Sequence, residues 1–397
     1  MKRHFSFAVG VLALASMALY MSSCEDEDNQ KQKGNWVEAD ADFPGTARGG
    51  AVCFQIGNYA FVGTGANTNK TEERERFRDF YMCTMDENDN IHWTAKYDKK
   101  DSADKATCKF TEAVCSMPDS SAARNGAVAF SLNIDGKDYG YVGLGYDGVN
   151  YLKDFWRYDV EENKWEKAPD YPGDSVRYAV AFVIDNIAYV GTGENFDNDV
   201  LSDFYSFDGK EWKTIQSIGR PRAQAAAFIM NVDGTTYGYV VGGQNGGTAI
   251  DWFQRYNPKT NTWEDLYRIA DRTDYTFDDE YTLAAYGSVA FSLYPLPDET
   301  TYENACSRAF ITTGGSKGTG NATWEYNPQY DYWIPRRNFE ASVRKFCVSF
   351  VLTTKSGRQV PFITTGTTSD LTVSGSGGSF FSQTYYFNPY ENYEAKD

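Results

Sequence analysis

A small residue followed by phenylalanine recurs six times along this 397-residue chain, each time in the same company. The pairs are Cys53-Phe54, Ala129-Phe130, Ala181-Phe182, Ala227-Phe228, Ala290-Phe291 and Ser349-Phe350. Next come Phe61-Val62, Tyr141-Val142, Tyr189-Val190, Tyr239-Val240, Phe310-Ile311 and Phe362-Ile363. Three residues after each valine or isoleucine stands a glycine: Gly65, Gly145, Gly193, Gly243, Gly314 and Gly366. Met85-Asp86, Tyr158-Asp159, Phe207-Asp208, Tyr256-Asn257, Tyr326-Asn327 and Phe387-Asn388 follow, and then Trp93, Trp165, Trp212, Trp263, Trp333 and Tyr393. Each unit reads as four short strands.

Six such units predict an all-β, six-bladed propeller of four-stranded antiparallel blades. Blades pack face to face and their inner strands lie closest, so a small residue must meet one neighbour while phenylalanine fills the other side. Glycine ends the second strand where the chain turns sharply near other backbone. The Asx residue of the third column suits a hairpin turn, because its side chain bonds backbone two residues on. The tryptophan is expected to cover the wide outer edge of the blade.

These columns resemble the kelch repeat, whose pattern runs Arg, a small-apolar strand, Gly-Gly, an aromatic-Asp turn and Trp. The resemblance covers residues 34–397 and implies a kelch-type propeller of the superfamily that includes the central domain of galactose oxidase. Departures are visible. The double glycine stands only at Gly242-Gly243 and Gly314-Gly315, Tyr393 replaces the last Trp, and the end-markers are spaced from 47 (Trp165 to Trp212) to 72 residues (Trp93 to Trp165) apart. Trp36 precedes Pro44 and Arg48 much as Trp165 precedes Pro172 and Arg177. Residues 34–38 therefore read as a fourth strand without a blade of its own: it closes the ring, or it lies outside the carboxy-terminal strand as a fifth. Either seam protects an otherwise open edge.

Residues 1–23 read as a secretion signal, with Lys2, Arg3 and His4 before an apolar stretch from Phe5 to Tyr20. Met21, Ser22, Ser23 and Cys24 resemble a bacterial lipobox, which implies cleavage before Cys24 and its lipidation; the alternative is an ordinary signal with Cys24 in a disulfide. Glu25 to Asp28 resembles the acidic signal that sends some Gram-negative lipoproteins to the cell surface, and residues 24–33 read as a disordered acidic linker. The expected location is the outer membrane, with the membrane reached only through the lipid. Losing Lys2 and Arg3 takes the formal charge from −17 to −19, which argues against nucleic acid or another polyanion as partner. Six cysteines follow Cys24. Cys108 and Cys115 share one loop and are the expected disulfide, while Cys53 and Cys347 read as free core thiols or a seam disulfide.

The mature chain keeps one histidine, His92, beside Trp93 on an outer strand, where it cannot serve a Ser-His-Asp triad. Histidine ligands of the galactose oxidase kind are missing too, so neither copper nor another metal is expected, and no cofactor. Gly143, Gly145 and Gly148 match the dinucleotide fingerprint, but a strand pattern from Asp154 to Asp159 follows where a helix is required. Asp86 to Asn90 resembles a calcium loop and reads as turn punctuation.

The informative column is arginine. Six residues before the phenylalanines stand Arg48, Arg124, Val176, Arg222, Ala285 and Arg344, with Arg177 one place later. In a kelch propeller this position enters the first strand from the face that carries the loops after the glycines, so these arginines are expected to ring one mouth of the channel. Beside them fall Asn67, Tyr146, Asp147, Glu194, Asn195, Gln244, Asn245 and Ser316. Arginine at a mouth holds a carboxylate bidentately; alternatively each arginine pairs within the protein. Longer connections at 66–79, 94–123, 264–284 and 367–383 favour the same face, and Tyr267, Tyr275, Phe277 and Tyr281 offer a sugar-stacking surface or the underside of a loop. The leading expectation is a monomeric binding module for a glycan, an acidic ligand or another envelope protein. The alternative is a sugar-modifying enzyme, resembling kelch propellers that isomerise sialic acids, with Glu194 or Asp147 moving a proton.

Overall fold

The structure, a computed structural model, describes residues 33–69, 75–93, 116–268, 284–294, 307–315, 320–371 and 377–392. Alternating buried and half-buried positions build six blades of antiparallel strands, beside a small two-stranded sheet of Gln244–Asn245 and Thr248–Ala249. The first five blades start on Gly49–Ile56, Val128–Ile134, Val180–Ile184, Ala226–Val232 and Val289–Leu293 and run outward in chain order. The sixth comprises Val348–Thr353, Gln359–Thr364, Tyr385–Asn392 and, from the other end of the chain, Lys33–Glu38. Trp36 pairs with Phe387 in register, so the amino-terminal strand is the fourth strand of that blade and closes the ring. Tyr393 lies outside the described residues. The strand Phe155–Asp159 follows the glycine-rich stretch as expected, and Asp86 caps its turn by accepting from the Asn88 and Asn90 amides.

Six apolar clusters fill the six interfaces between blades, and each repeats one arrangement. Phe54 of the first blade packs with Ala127, Ala129 and Trp165 of the second. Phe350 of the sixth meets Ala51, Cys53 and Trp93 of the first. The small column thus faces one neighbour and phenylalanine the other, with tryptophan closing the outer side. Trp36 takes that place between the fifth and sixth blades, stacked on Phe387 at 4.7 Å. Cys53, Cys83 and Cys347 are free thiols, and burial pushes Cys347 up to about 11. Cys53, on the first strand of its blade, and Cys347, just before that of the sixth, sit in different interfaces and do not form a seam disulfide.

Two rings of backbone hydrogen bonds tie the blades at one end. Every column glycine donates to the residue at the arginine column of the next blade, from Gly65 to Arg124 round to Gly366 and Arg48, at 2.8–2.9 Å. Nearer the axis, Gly50, Gly126, Tyr178, Gln224, Gly287 and Phe346 form a closed belt in which each amide donates to the preceding blade's carbonyl at 2.7–3.0 Å. All six belt residues are left-handed, with φ between 56° and 65°. A channel of about 210 Å³ begins directly beneath, lined by Ala51, Ala127, Ala179, Ala225, Ser288 and Cys347 among others.

Gly145 shows why the glycine column is invariant among the units. Its φ is +98°, and a Cβ would sit 2.9 Å from the Asn125 carbonyl oxygen. Relief requires moving one of the two strands that the blade aligns. Gly145→Ala is therefore expected to cost about 1–3 kcal/mol, read as a lowered urea midpoint with an unchanged slope.

Candidate functional site

The arginine column and the mouth prove to be different places. Arg48, Arg124, Arg222 and Arg344 are at most 2% exposed and lie inside their own blades. Arg48 binds both oxygens of Asp79 and the Thr64 carbonyl; Arg124 binds both oxygens of Asp154, at 2.7 and 2.9 Å, and the Leu144 carbonyl. Arg222 donates to the carbonyls of Arg220 and Trp252 and to Gln254. Arg344 donates to the Ser342 and Thr365 carbonyls, with its guanidinium 4.1 Å from the Phe381 ring centroid. These four tie the entry of strand one to the later strands of the same blade. They do not ring the mouth, which corrects the expectation from sequence.

The residue one place later points differently. Between the arginine column and strand one the chain passes through the left-handed belt, so this next residue pairs with the one following the column glycine: Asn125 with Tyr146, Arg177 with Glu194, Ala223 with Gln244, Tyr286 with Gly315, Lys345 with Thr367. Arg177, already displaced by one in sequence, is the predicted arginine that reaches this ring. Its Nη2 lies 2.7 Å from Glu194 Oε1, which also accepts from the Tyr151 hydroxyl at 3.1 Å. Gln244 Nε2 reaches Glu194 Oε2 at 3.4 Å. Burial pushes the Tyr151 phenol up, against the pull of Arg177 and with Glu194 adding to the rise, so it remains a hydrogen-bond donor.

Tyr146 stands edge-on to Tyr151 at 5.2 Å, and Tyr151 edge-on to Phe196 at 5.8 Å. Phe196 is 68% exposed and Val149 72%. The remaining predicted residues shape their own loops. Asp147 accepts from the Val149 and Asn150 amides, Asn195 from those of Asp197 and Asp199, Asn245 donates to the Pro221 carbonyl and Asn67 to that of Ala47. Cys24, Cys108, Cys115, Ser316, Tyr275, Phe277 and Tyr281 lie outside the described residues.

Residues 145–170 and 239–266 each match the Kelch motif, on the second and fourth of six blades that share one geometry. The chain is a kelch-repeat propeller. No curated protein matches it. A kelch propeller is in general terms a protein-interaction module. In this kelch propeller the first glycine of the motif's pair aligns with Thr64, Leu144, Thr192, Gly242, Thr313 and Thr365, all left-handed with φ between 58° and 64°. Gly314-Gly315 is therefore one place out of register with Gly242-Gly243. Sequence reasoning missed Tyr151, Phe196 and Lys345. Lys345 carried a usable signal, since it follows Arg344 as Arg177 follows Val176.

Proposed function

We propose that this kelch propeller is a lipid-anchored protein of the bacterial outer membrane that binds a neutral glycan on the rim of its second to fourth blades. The amino-terminal sequence supports the anchor: an apolar leader, a lipobox-like Met21 to Cys24 and an acidic stretch after it. The rim supports the ligand class. The exposed Phe196 and the half-buried Tyr151 and Tyr146 behind it form an aromatic ridge beside the exposed Val149, and contiguous apolar surface is what marks interaction sites. Sugars offer apolar C–H faces to such rings and hydroxyls that both donate and accept. At the foot of the ridge the half-buried Gln244 offers donor and acceptor to a sugar, backed by the buried Arg177–Glu194 pair.

The observation that carries the reading is the Arg177–Glu194 pair itself. With its charge balanced by Glu194, Arg177 has little attraction left for an acidic ligand, which favours a neutral one. The enzymatic alternative draws less support. Asp147 is committed to its turn, and one Glu194 oxygen is held by Arg177 and Tyr151. The test is a glycan array followed by calorimetry with Phe196→Ala. Burying an aromatic ring is worth about 1.5–3 kcal/mol, so affinity should fall about tenfold or more, with the melting temperature unchanged because the ring is exposed. An array on which no neutral glycan binds would sink the proposal.

A further inference from the structure

The axial pocket above the belt is filled by the chain itself. Three of the six belt residues are glycines, and each is roofed by one side chain. A Cβ on Gly126 would lie 2.8 Å from the Tyr178 ring, one on Gly287 2.9 Å from Phe346, and one on Gly50 3.1 Å from Leu371. Tyr178 and Phe346 come from blades on opposite sides of the axis and stack at 5.1 Å. Leu371 belongs to neither first strand. It arrives on the connection after Gly366, is 2% exposed, and packs with Tyr178, Phe346 and Ala223.

The residue before it, with a side chain 57% exposed, is tied down by hydrogen bonds instead. Asp370 accepts from Lys345 Nζ and from the Tyr286 hydroxyl, the latter at 3.0 Å. Lys345 lies 5.0 Å from the Tyr286 ring and its side chain is 9% exposed, so its ammonium needs an anion at this place. The strap is held in turn by Thr367, whose backbone pairs with Lys345, whose hydroxyl donates to the Ser379 carbonyl, and which accepts from the Ser369 amide. Leu371 has φ +56°, a left-handed conformation that disfavours a non-glycine residue. A leucine held there against its backbone preference is kept by what its side chain fills.

We propose that this pocket is a peptide-binding site, held shut by residues 367–371 acting as an internal ligand. Its occupant shows what it selects: a carboxylate for Lys345 and Tyr286, and next to it an aliphatic side chain for the space above Gly50. A partner protein presenting an acidic residue followed by leucine or a similar aliphatic displaces the strap and takes the same contacts. The intramolecular copy competes at an effective concentration on the order of millimolar, so partners must be tight or locally concentrated. The site rests on the general interaction role of the propeller, not on the glycan reading. Its carboxylate contacts lie on the fifth and sixth blades and its leucine contacts reach Tyr178 of the third and Ala223 of the fourth, with Phe196 not among them.

The probe is the capped pentapeptide Thr-Thr-Ser-Asp-Leu, which copies residues 367–371. Asp370→Asn with Leu371→Gly removes the carboxylate charge and the aliphatic side chain from the pocket; calorimetry should show peptide binding at least tenfold tighter to this variant than to the unaltered full chain. Binding should be lost when the peptide carries Asn and Gly at its last two positions. Equal affinity for the two proteins, or no binding to a variant that melts cooperatively, overturns the proposal. A second readout needs no variant. Excess peptide added to the unaltered protein should speed amide exchange at Ser369 and Leu371 severalfold, and unchanged exchange under saturating peptide also overturns it. Phe196→Ala should leave both results unaltered, which separates a failure here from a failure at the rim.

Discussion

Arg124→Ala is expected to lower the free energy of unfolding by about 3 kcal/mol, the lower end of the range for breaking a buried ion pair. The lower end applies because Asp154 keeps 21% of its side chain exposed. The loss has two parts. Asp154 is left without its bidentate partner, and the Leu144 carbonyl next to the column glycine loses a donor. The pH dependence identifies the first part. In the native protein burial pushes the Asp154 carboxyl up, but the hydrogen bonds and charge of Arg124, with the Trp156 N–H, more than reverse this and hold it below 3.8. A carboxyl lowered on folding contributes stability above its unfolded value, and that contribution fades as pH falls through the folded value. Without Arg124 burial is opposed only by weaker partners, so the advantage of a lowered carboxyl disappears and the stability gap between the variant and the unaltered protein should narrow as pH falls through the carboxylate range. Urea titrations at several pH values would show both the drop near neutral pH and its narrowing in acid; full stability with lost ligand binding would return this arginine to the mouth.

Arg222→Met makes a useful comparison. Its hydrogen-bond partners are Gln254 and the backbone carbonyls of Arg220 and Trp252, none of them a carboxylate. Burial pushes Arg222 down to about 9, with the charge of Arg220 adding to the fall. Removal leaves no orphan charge, so the loss should be smaller than at Arg124.

Trp36→Ala should cost about 3–5 kcal/mol, as expected for a buried tryptophan replaced by alanine, and its consequences differ in kind. Trp36 is 6% exposed, stacks on Phe387, stands edge-on to Phe339 at 5.2 Å, and donates from Nε1 to Thr323 of the fifth blade at 3.2 Å. It therefore joins the amino-terminal strand to two blades at once. When that strand detaches, Tyr385–Asn392 becomes an edge with unpaired backbone, the usual route to association between chains. Thermal melts and size-exclusion chromatography should show a lowered transition accompanied by oligomers. A monomer with an unchanged melt would mean that the seam is held without this side chain.

The phenylalanine, glycine and tryptophan columns were legible because each answers a constraint repeated in every blade: two unequal faces, one sharp turn, one outer corner. The two left-handed positions were not legible. In the belt only Gly50, Gly126 and Gly287 are glycines, while Tyr178, Gln224 and Phe346 hold the same φ under the closed ring of hydrogen bonds. Nothing in a tyrosine or a phenylalanine announces such a backbone. Yet that turn sends one residue into the blade and the next to the mouth, which is why Arg344 is buried in its blade and Lys345 faces Asp370.

The sequence alone determined the number of blades, the strands within them and the identity of the residues between them, because local periodicity and size carry that information. It also left two seams for the ends of the chain. Only the tertiary structure chose between them, placing Trp36 against Phe387, and only it separated scaffold arginines from mouth residues. The reason is common to both: each depends on contacts between segments far apart in the chain, closed around one axis, where a single left-handed residue decides which way its neighbour points.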